Sequence, residues 1–264
     1  MEKLVSVICT VKNGETTISE TIESVLNQTF KNIELIIIDD GSTDRTKNIL
    51  ERYKSLDDRV KPYYSGGIGR SPALNKAIQL SEGDFIANID ADDLMHPRKI
   101  ELQVKAFKKK RGYFLIATDS LLIYDANKPL WDNDVNSVVV ADVNQSILIR
   151  NRISHPSVMM NKDLLVSLGG YNESRQNMVD YDLWLRAFSN NLKMGILKEK
   201  LTAKRIHSNQ SFENKKRLSY TFSAMKLQLS FIMKNTIYLY YLPFPIISFV
   251  LAQLPFKIRR KISK

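Results

Sequence analysis

The sequence predicts an α/β protein with a largely parallel sheet that helices cover on both faces. Short apolar, β-rich runs such as LVSVICT and ELIII alternate with segments whose apolar residues recur at helical spacing. The runs are apolar throughout instead of alternating with polar residues, which is typical of strands buried on both faces. Repeated β-α-β units of this kind favour a parallel sheet between two helical layers.

The elements follow in order along the chain. Strands are expected over residues 4–10, 34–38, 60–64, 85–89 and 113–118. Helices are expected from Thr17, where Thr17 and Glu20 have capping-box spacing, after residues 41–44, over 73–80 and after Pro97. Residues 120–214 are less regular, with helical segments over 162–168 and 181–189. The alternation therefore predicts the parallel sheet chiefly from the first 118 residues.

Composition places the chain among globular proteins. It has 264 residues, of which 44% are apolar and 25% charged, enough to build a full core. The single cysteine, Cys9, lies in an apolar run and has no disulfide partner, which favours a reducing compartment. The N-terminal residues lack the pattern of a signal peptide, so we expect no secretion.

The net charge of +11 is unevenly distributed. Ten of the 39 Lys and Arg residues follow Glu213, and no Asp or Glu does, which leaves 29 basic against 28 acidic residues before that point. Because the basicity belongs to the tail, a nucleic-acid-binding protein is disfavoured and no nucleic-acid partner is expected. A dinucleotide-dependent oxidoreductase is disfavoured because no G-x-G-x-x-G follows the first strand.

Polar residues concentrate where three of the predicted strands end. They are Thr10, Asp39, Asp40, Asp90, Asp92 and Asp93. In open parallel sheets ligands bind at the carboxyl ends of strands, and closely spaced carboxylates repel one another unless a cation neutralises them. Oxygen ligands of this kind suit Mg²⁺ or Mn²⁺, which would also hold a diphosphate. The alternative is that Asp92 or Asp93 caps the helix that Pro97 begins.

Seven segments together resemble the family 2 glycosyltransferases with the GT-A fold, over roughly residues 4–211. In order they are SVICTVKNGETTISETIESVLNQTF, IELIIIDDGSTDRT, GIGRSPALNKAI, GDFIANIDADDLMHPRKIELQ, HPSVMMNKDLLVSLGGYNE, DYDLWLRA and RIHSNQS. The resemblance implies a nucleotide-binding sheet of GT-A type, a nucleoside-diphosphate-sugar donor, a divalent metal and inversion at the anomeric carbon.

The resemblance also implies residue roles on the donor side. Asp40 would contact the nucleobase, and Thr10 would lie near the base and ribose. Arg70 would approach the diphosphate, which suits a forked guanidinium; its alternative is an ordinary surface arginine. Asp90 and Asp92 correspond to the D-x-D motif, with Asp92 on the metal and Asp90 near both ribose and metal.

On the acceptor side, Asp180 falls at the position of the family's general base. Val179 stands where relatives carry a glutamate, which leaves open the contacts that the glutamate makes. The alternative for Asp180 is the N-cap of its helix. His207 corresponds to a histidine that completes the metal or diphosphate site, against the alternative of a structural histidine. Gly169 and Gly170 would form a turn facing the donor sugar and acceptor.

The tail predicts association with a membrane. Apolar residues spaced four and three apart over 218–232 form a helical stripe between basic residues, and residues 236–256 are apolar and uncharged. The second stretch is long enough to span a bilayer, but three prolines favour an in-plane anchor on an anionic leaflet over a straight span. Packing against the body of the protein is the third possibility. We expect attachment at the cytoplasmic face of the cell membrane through residues 215–264.

The resemblance thus divides the chain into a nucleotide-sugar-binding half (1–118), an acceptor-binding and catalytic half of the same domain (119–214) and a membrane-associating tail (215–264). It implies a hexosyl- or N-acetylhexosaminyltransferase that uses Mn²⁺ or Mg²⁺ and a nucleoside-diphosphate sugar, with UDP the commonest carrier. The acceptor would be a glycan or a lipid-linked glycan in surface polysaccharide synthesis. The alternative is a membrane-tethered protein that binds a nucleotide sugar without turnover.

Overall fold

The computed structural model describes residues 3–124, 127–132, 134–144, 146–206 and 217–254, and within these ranges nine strands form one mixed sheet between helices. The strands are β1 (Val5–Val11), β2 (Ile33–Asp39), β3 (Val60–Tyr64), β4 (Phe85–Asn88), β5 (Leu94–Met95), β6 (Tyr113–Tyr124), β7 (Val140–Asp142), β8 (Met159–Asn161) and β9 (Lys193–Ile206). The helices are α1 (Ile18–Leu26), α2 (Thr46–Leu56), α3 (Arg70–Leu80), α4 (Lys99–Lys109), α5 (Lys162–Ser167), α6 (Val179–Ser189), α7 (Arg217–Lys234) and α8 (Pro243–Gln253).

The first four strands form the parallel sheet that the sequence predicts. They lie in the order β3-β2-β1-β4, and Val5 of β1 is in register with Ile33 of β2 and Phe85 of β4. β1 packs Ile8 into an apolar layer with α3 and α6, whereas its neighbours Val7 and Cys9 enter the opposite layer with α1 and α4. Both faces of these strands are thus buried, which explains why their sequences are apolar throughout.

The second half of the sheet is mixed, so the expectation of a parallel sheet does not extend to it. β8 pairs antiparallel with both β4 and β6, and β9 pairs parallel with β6. The β-α-β alternation ends near residue 118, and β8 follows a single 3₁₀ turn, His155–Ser157, instead of a crossover helix. A parallel pairing needs such a crossover, and its absence before β8 is consistent with the antiparallel arrangement.

The predicted capping box at the start of α1 is wrong. Thr17 occupies the N-cap position, but its side chain makes no capping hydrogen bond. Its hydroxyl instead donates to the Ala91 carbonyl at 2.9 Å, and Glu20 accepts a hydrogen bond from Arg205. The first turn of α1 is therefore turned toward the loop over residues 89–93, which we call the aspartate loop.

The tail forms a helical hairpin on the side of α6. α7 packs against the body through buried Leu227 and Ile232. The ring centres of Phe231 and Phe188 of α6 are 6.2 Å apart. α8 folds back on α7, and the ring centres of Phe249 and Phe222 are 5.9 Å apart. Among the described residues one segment, Thr236–Gln253, is long and apolar enough to cross a membrane by length and composition, with 6% of it buried.

Replacing Thr21 with valine tests the tether between α1 and the aspartate loop. Thr21 is buried, and its hydroxyl lies 3.0 Å from the Ala91 carbonyl and 2.9 Å from the Asp93 carbonyl. We expect Thr21→Val to lower the free energy of unfolding by about 1–3 kcal/mol, because buried carbonyls lose a donor at constant side-chain shape. Urea denaturation measures this, with exposed Thr16→Val as the matched control. Equal effects of the two substitutions would contradict the tether.

Candidate active site

The ends of β1, β2 and β4 bring the predicted polar residues to one edge of the sheet. Val11 is in register with Asp39, and Ile8 with Asn88. Thr10 near the end of β1, Asp40 after β2 and the aspartate loop after β4 therefore lie at the same edge, and Thr10 is partly exposed there. This is the arrangement that ligand sites of open α/β sheets use.

Arg70 and Asp90 form an ion pair at this edge. Arg70 is the first residue of α3, and its Nη2 donates to Asp90 Oδ1 at 2.7 Å. Although burial opposes ionisation, the Arg70 guanidinium holds the pKa of Asp90 below its ordinary value. In turn Asp90 raises the pKa of Arg70, and Asp180 adds to that effect. Arg70 is thus not an isolated surface arginine, and the charge of Asp180 acts on the same cluster.

His155 lies at the centre of the site, a position that sequence reasoning did not assign to it. Its Nδ1 is 2.8 Å from Asn88 Nδ2 and 3.2 Å from Arg70 Nη2. Both partners are hydrogen-bond donors, so Nδ1 accepts and the proton of the neutral ring is on Nε2. Nε2 then donates to the Tyr171 hydroxyl at 2.8 Å. The only sequence signal was the position of His155 before Pro156 in HPSVMM.

Asp93 is buried, and the structure excludes it as a helix cap. α4 begins at Lys99 with Arg98 in the N-cap position. Asp93 Oδ1 instead accepts from the Arg205 backbone N–H at 2.9 Å. Burial, with the neighbouring Asp90 and Asp92, raises the pKa of Asp93 well above its ordinary value. Asp93 therefore faces inward beneath the loop, away from the open edge of the site.

Lys99 connects two parts of the site by hydrogen bonds to backbone carbonyls. It is fully buried, and its Nζ donates to the carbonyls of Pro156 at 3.1 Å and Asn88 at 3.4 Å. Burial lowers the pKa of Lys99 to about 7, against the opposing effect of Asp93. One side chain thus joins the end of β4 to the turn that carries His155. A lysine in an amphipathic helix pattern is expected to be exposed, so this role of Lys99 was not predicted from the sequence.

Arg205 connects the aspartate loop to the end of β9. Its Nε donates to the Asp92 carbonyl at 3.0 Å, and its guanidinium also reaches Glu20 of α1. Asp92 itself is partly exposed. The predicted metal ligand His207 follows Arg205 by two residues in the sequence but lies outside the described residues.

Asp40 makes hydrogen bonds to the segment that precedes α3. Its Oδ1 accepts from Ser65 Oγ at 2.8 Å and from the Ile68 N–H at 2.7 Å, and its Oδ2 accepts from the Gly69 N–H at 2.9 Å. Asp40 thereby fixes the backbone leading to Arg70. Its predicted contact with a nucleobase stays a prediction.

Asp180 lies in the first turn of α6, but it is not the N-cap. That position belongs to Met178, which has a left-handed φ of 53° and makes no side-chain cap. Among the described residues the half-buried Asp180 carboxylate makes no hydrogen bond. Val179 is buried in the apolar core, so its side chain is part of the packing. Asp180 therefore presents an uncommitted carboxylate near Arg70.

Gly169 and Gly170 form the predicted turn after α5, and two side chains hold it. Both glycines have left-handed φ angles, 79° and 63°. Arg186 of α6 donates to the Gly170 carbonyl at 2.7 Å and pairs with Asp182 at 2.9 Å. Asn75 of α3 exchanges two 2.8 Å hydrogen bonds with the Tyr171 backbone. The turn is thus bound to both α3 and α6.

Among the described residues no group of three or more His, Cys, Asp and Glu side chains is arranged to hold a metal ion. Asp90 and Asp92 are partly exposed at the edge of the site, whereas Asp93 faces Arg205. Mg²⁺ is commonly held by one or two carboxylates together with substrate phosphates. The carboxylates present fit a metal of that kind, one that a diphosphate would help to hold.

Comparison with known proteins identifies the family. A sequence profile described as "Glycosyl transferase family 2" matches residues 6–128. The putative glycosyltransferase EpsE of Bacillus subtilis (strain 168) is 36% identical over 223 residues, which cover 83% of this chain and 77% of that protein. The chain belongs to the family 2 glycosyltransferases. The O-antigen biosynthesis glycosyltransferase WbnJ of Escherichia coli is 31% identical over 238 residues, 89% of this chain and 91% of that protein.

Solved structures agree on the fold. S. aureus TarS residues 1–349, crystallised in complex with UDP-GlcNAc, superposes on this family 2 glycosyltransferase with a TM-score of 0.64 at 19% identity. The match covers 87% of this chain and 66% of that one, so the chain spans about two thirds of the TarS fragment. The expected GT-A fold, a mixed α/β sheet flanked by helices, is confirmed.

Substitutions at the two glycines of the turn separate backbone strain from steric contact. A Cβ on Gly170 would lie 2.6 Å from Asn75 Oδ1, whereas a Cβ on Gly169 would meet nothing within 4 Å. We expect Gly169→Ala to lower the free energy of unfolding by about 1–2 kcal/mol through its positive φ. Gly170→Ala should cost about 1–3 kcal/mol more, because Asn75 must release Tyr171.

Chemical denaturation measures both values, and the double variant Asn75→Ala with Gly170→Ala supplies the control. In the Asn75→Ala background, Gly170→Ala should cost no more than Gly169→Ala does in the wild type. An undiminished cost would show that Asn75 is not the group that excludes a side chain at residue 170.

Proposed function

We propose that this glycosyltransferase moves a hexosyl or N-acetylhexosaminyl group from a nucleoside-diphosphate sugar, UDP being the expected carrier, with inversion and with a divalent metal. The acceptor is a hydroxyl of a glycan or lipid-linked glycan in surface polysaccharide synthesis. The observation that carries the proposal is the Asp180 carboxylate, which makes no hydrogen bond among the described residues and whose charge raises the pKa of Arg70. The UDP-GlcNAc in the TarS structure and the O-antigen role in the name of WbnJ support the donor and the pathway class.

The donor would bind at the strand ends. Thr10 and Asp40 would lie toward the nucleoside, and Arg70 toward the diphosphate, where a guanidinium can make forked hydrogen bonds. Arg70 is held at this edge by Asp90 and His155, so its charge is in place before the donor arrives. Gly169 and Gly170 would border the sugar, since Tyr171 directly after them contacts His155.

Asp92 and Asp90 are the described residues that would hold Mn²⁺ or Mg²⁺, with His207 as the further ligand that the sequence predicts. When bound, the metal neutralises the phosphate charge that develops as the nucleoside diphosphate leaves. The residues of the chain add to this effect. Arg70 contributes a second positive charge on the diphosphate side, which favours departure of the leaving group.

Asp180 would act as the general base for the acceptor hydroxyl. In an inverting transfer the base lies on the side of the sugar opposite to the leaving group, and it removes the hydroxyl proton as the oxygen attacks the anomeric carbon. A carboxylate without hydrogen-bond partners is available to accept that proton. The alternative of a binding protein without turnover depended on Val179, whose side chain is packed in the apolar core. Relatives that are named glycosyltransferases favour turnover.

Replacing Asp180 with asparagine tests the base. We expect kcat for sugar transfer to fall about 10²–10⁴-fold, because the amide cannot accept the proton. The donor KM should stay within about threefold, since the substitution removes no hydrogen bond from the donor-side residues. A coupled assay of nucleoside-diphosphate release measures both, with exposed Asp163→Asn as the matched control.

A variant that keeps a tenth or more of the wild-type rate would remove Asp180 from the mechanism. NMR of the product supplies the stereochemical test. The new glycosidic bond should have the anomeric configuration opposite to that of the donor, and a retained configuration would contradict a single displacement.

Metal dependence is tested by thermal shift with a panel of nucleoside-diphosphate sugars, with and without Mn²⁺. We expect the donor to raise Tm only when the metal is present, because a ligand stabilises the folded state in proportion to its affinity. EDTA should abolish the rise. Asp92→Asn should lose the metal-dependent part, whereas exposed Asp58→Asn should keep it. An equal donor-induced shift in EDTA would contradict a metal-dependent site.

A further inference from the structure

The α7–α8 hairpin has an unusually apolar surface. Nineteen large apolar side chains are exposed among the described residues, and ten of them lie in the segment from Leu218 to Leu251. Those ten are Leu218, Phe222, Met233, Ile237, Leu239, Tyr240, Ile246, Ile247, Val250 and Leu251. Exposed apolar side chains concentrated in one segment in this way mark an interaction site. We call these ten residues the hairpin face.

The geometry of the hairpin argues against a membrane span. α8 has 11 residues and is therefore about 16 Å long, roughly half the 30 Å hydrocarbon core of a bilayer. The preceding residues Thr236–Tyr241 form a 3₁₀ turn, and α8 begins at Pro243. α8 also packs on α7, where Gln253 Nε2 donates to Thr221 Oγ1 at 3.0 Å. A helix held along its neighbour in this way lies across the body of the protein.

The charges that flank the hairpin in the sequence favour an anionic surface as its occupant. No Asp or Glu follows Glu213 in the sequence, whereas ten Lys and Arg residues do, six of them at or before Lys257. Lys226 Nζ lies 4.9 Å from the Phe222 ring centre, at the edge of the apolar residues. Apolar side chains bordered by lysines and arginines are typical of helices that lie in the plane of an anionic leaflet. A second copy of the chain would bring the same positive charge and be repelled.

The side of α7 opposite to the hairpin face is turned toward the candidate active site. Tyr220 lies about half a turn around α7 from Leu218 and Phe222, and it packs partly buried against the core cluster that contains Val179 of α6. Burial raises the pKa of Tyr220 to about 12, and the charges of Asp180 and Arg70 also act on it. Tyr220 is thus within electrostatic range of the proposed base. The hairpin face and the reacting groups therefore lie on opposite sides of the first turns of α7, about one helix diameter (~10 Å) apart.

We propose that the hairpin face binds in the plane of an anionic lipid leaflet and so holds Asp180 near a sugar hydroxyl on a lipid-linked acceptor. The proposal rests on the function proposed above and narrows its acceptor to the lipid-linked class. The leaflet is the cytoplasmic one, because the lone thiol of Cys9 suits a reducing compartment and that leaflet is rich in anionic lipid.

Vesicle sedimentation of the full chain tests the surface. Wild-type protein should pellet with vesicles of phosphatidylglycerol and phosphatidylcholine, and much less with phosphatidylcholine alone. Val250→Glu should lower the partition coefficient by about tenfold or more, because it places a charge in the apolar face. Val166→Glu is the matched control, since Val166 is also an exposed helical valine, 57% exposed against 56% for Val250. The control should pellet like the wild type.

Activity assays separate this proposal from the underlying function. Donor-induced thermal stabilisation should be the same in Val250→Glu and wild type, which also shows that the variant folds. Transfer to a lipid-linked acceptor in vesicles should fall about tenfold or more, and transfer to the same glycan on a water-soluble aglycone should not. If the wild type pellets with anionic vesicles but transfers no sugar from any donor, the proposed function is contradicted and the membrane-binding role of the hairpin face is supported.

Three results would overturn the proposal. The first is equal pelleting of Val250→Glu and wild type. The second is equal pelleting of the wild type with neutral and anionic vesicles. The third is a stable dimer in light scattering that Val250→Glu dissociates while the wild type does not pellet, because a second copy would then cover the hairpin face.

Discussion

The candidate site depends on how the chain holds the backbone of the aspartate loop while its carboxylates repel one another. Thr17 and Thr21 bind its carbonyls from α1, Arg205 binds it from β9, and Lys99 supports the end of β4 from below. The contacts to the loop thus come from two distant parts of the chain, from the start of α1 and from β9. Asp93 relieves part of the repulsion, because its raised pKa favours the neutral acid.

Much of the fold was predictable because it follows from local patterns. The apolar runs gave β1 to β4 and the start of β6, and helical spacing gave the helices between them. The antiparallel β8 was not predictable, since three residues carry too little pattern to show a direction. The predicted capping box of Thr17 and Glu20 was wrong because of a contact that is distant in sequence. Their spacing suits a cap, but the loop 74 residues away in sequence competes for the Thr17 hydroxyl and wins.

The site also contains some residues whose positions the sequence predicted and others whose positions it did not. Asp90, Asp92, Asp40 and Arg70 follow strands or turns whose position the alternation predicts, so their proximity was foreseeable. His155 and Tyr171 belong to the irregular second half, where only the folded chain shows that they meet at 2.8 Å. Lys99 was hidden because a buried lysine has the sequence pattern of an exposed one. Contacts between residues that are distant in sequence cannot be predicted from the local patterns of a single sequence.

A chain of hydrogen bonds through His155 begins at one residue of α3 and returns to another residue of the same helix. Arg70 contacts His155, His155 contacts Tyr171, and the Tyr171 backbone returns to Asn75, about one helical turn along α3 from Arg70. Arg70 and the glycine turn are therefore positioned by one connected set of hydrogen bonds, in which His155 and Tyr171 are the shared members. A change at His155 acts on both ends of this set, the guanidinium of Arg70 and the turn after α5.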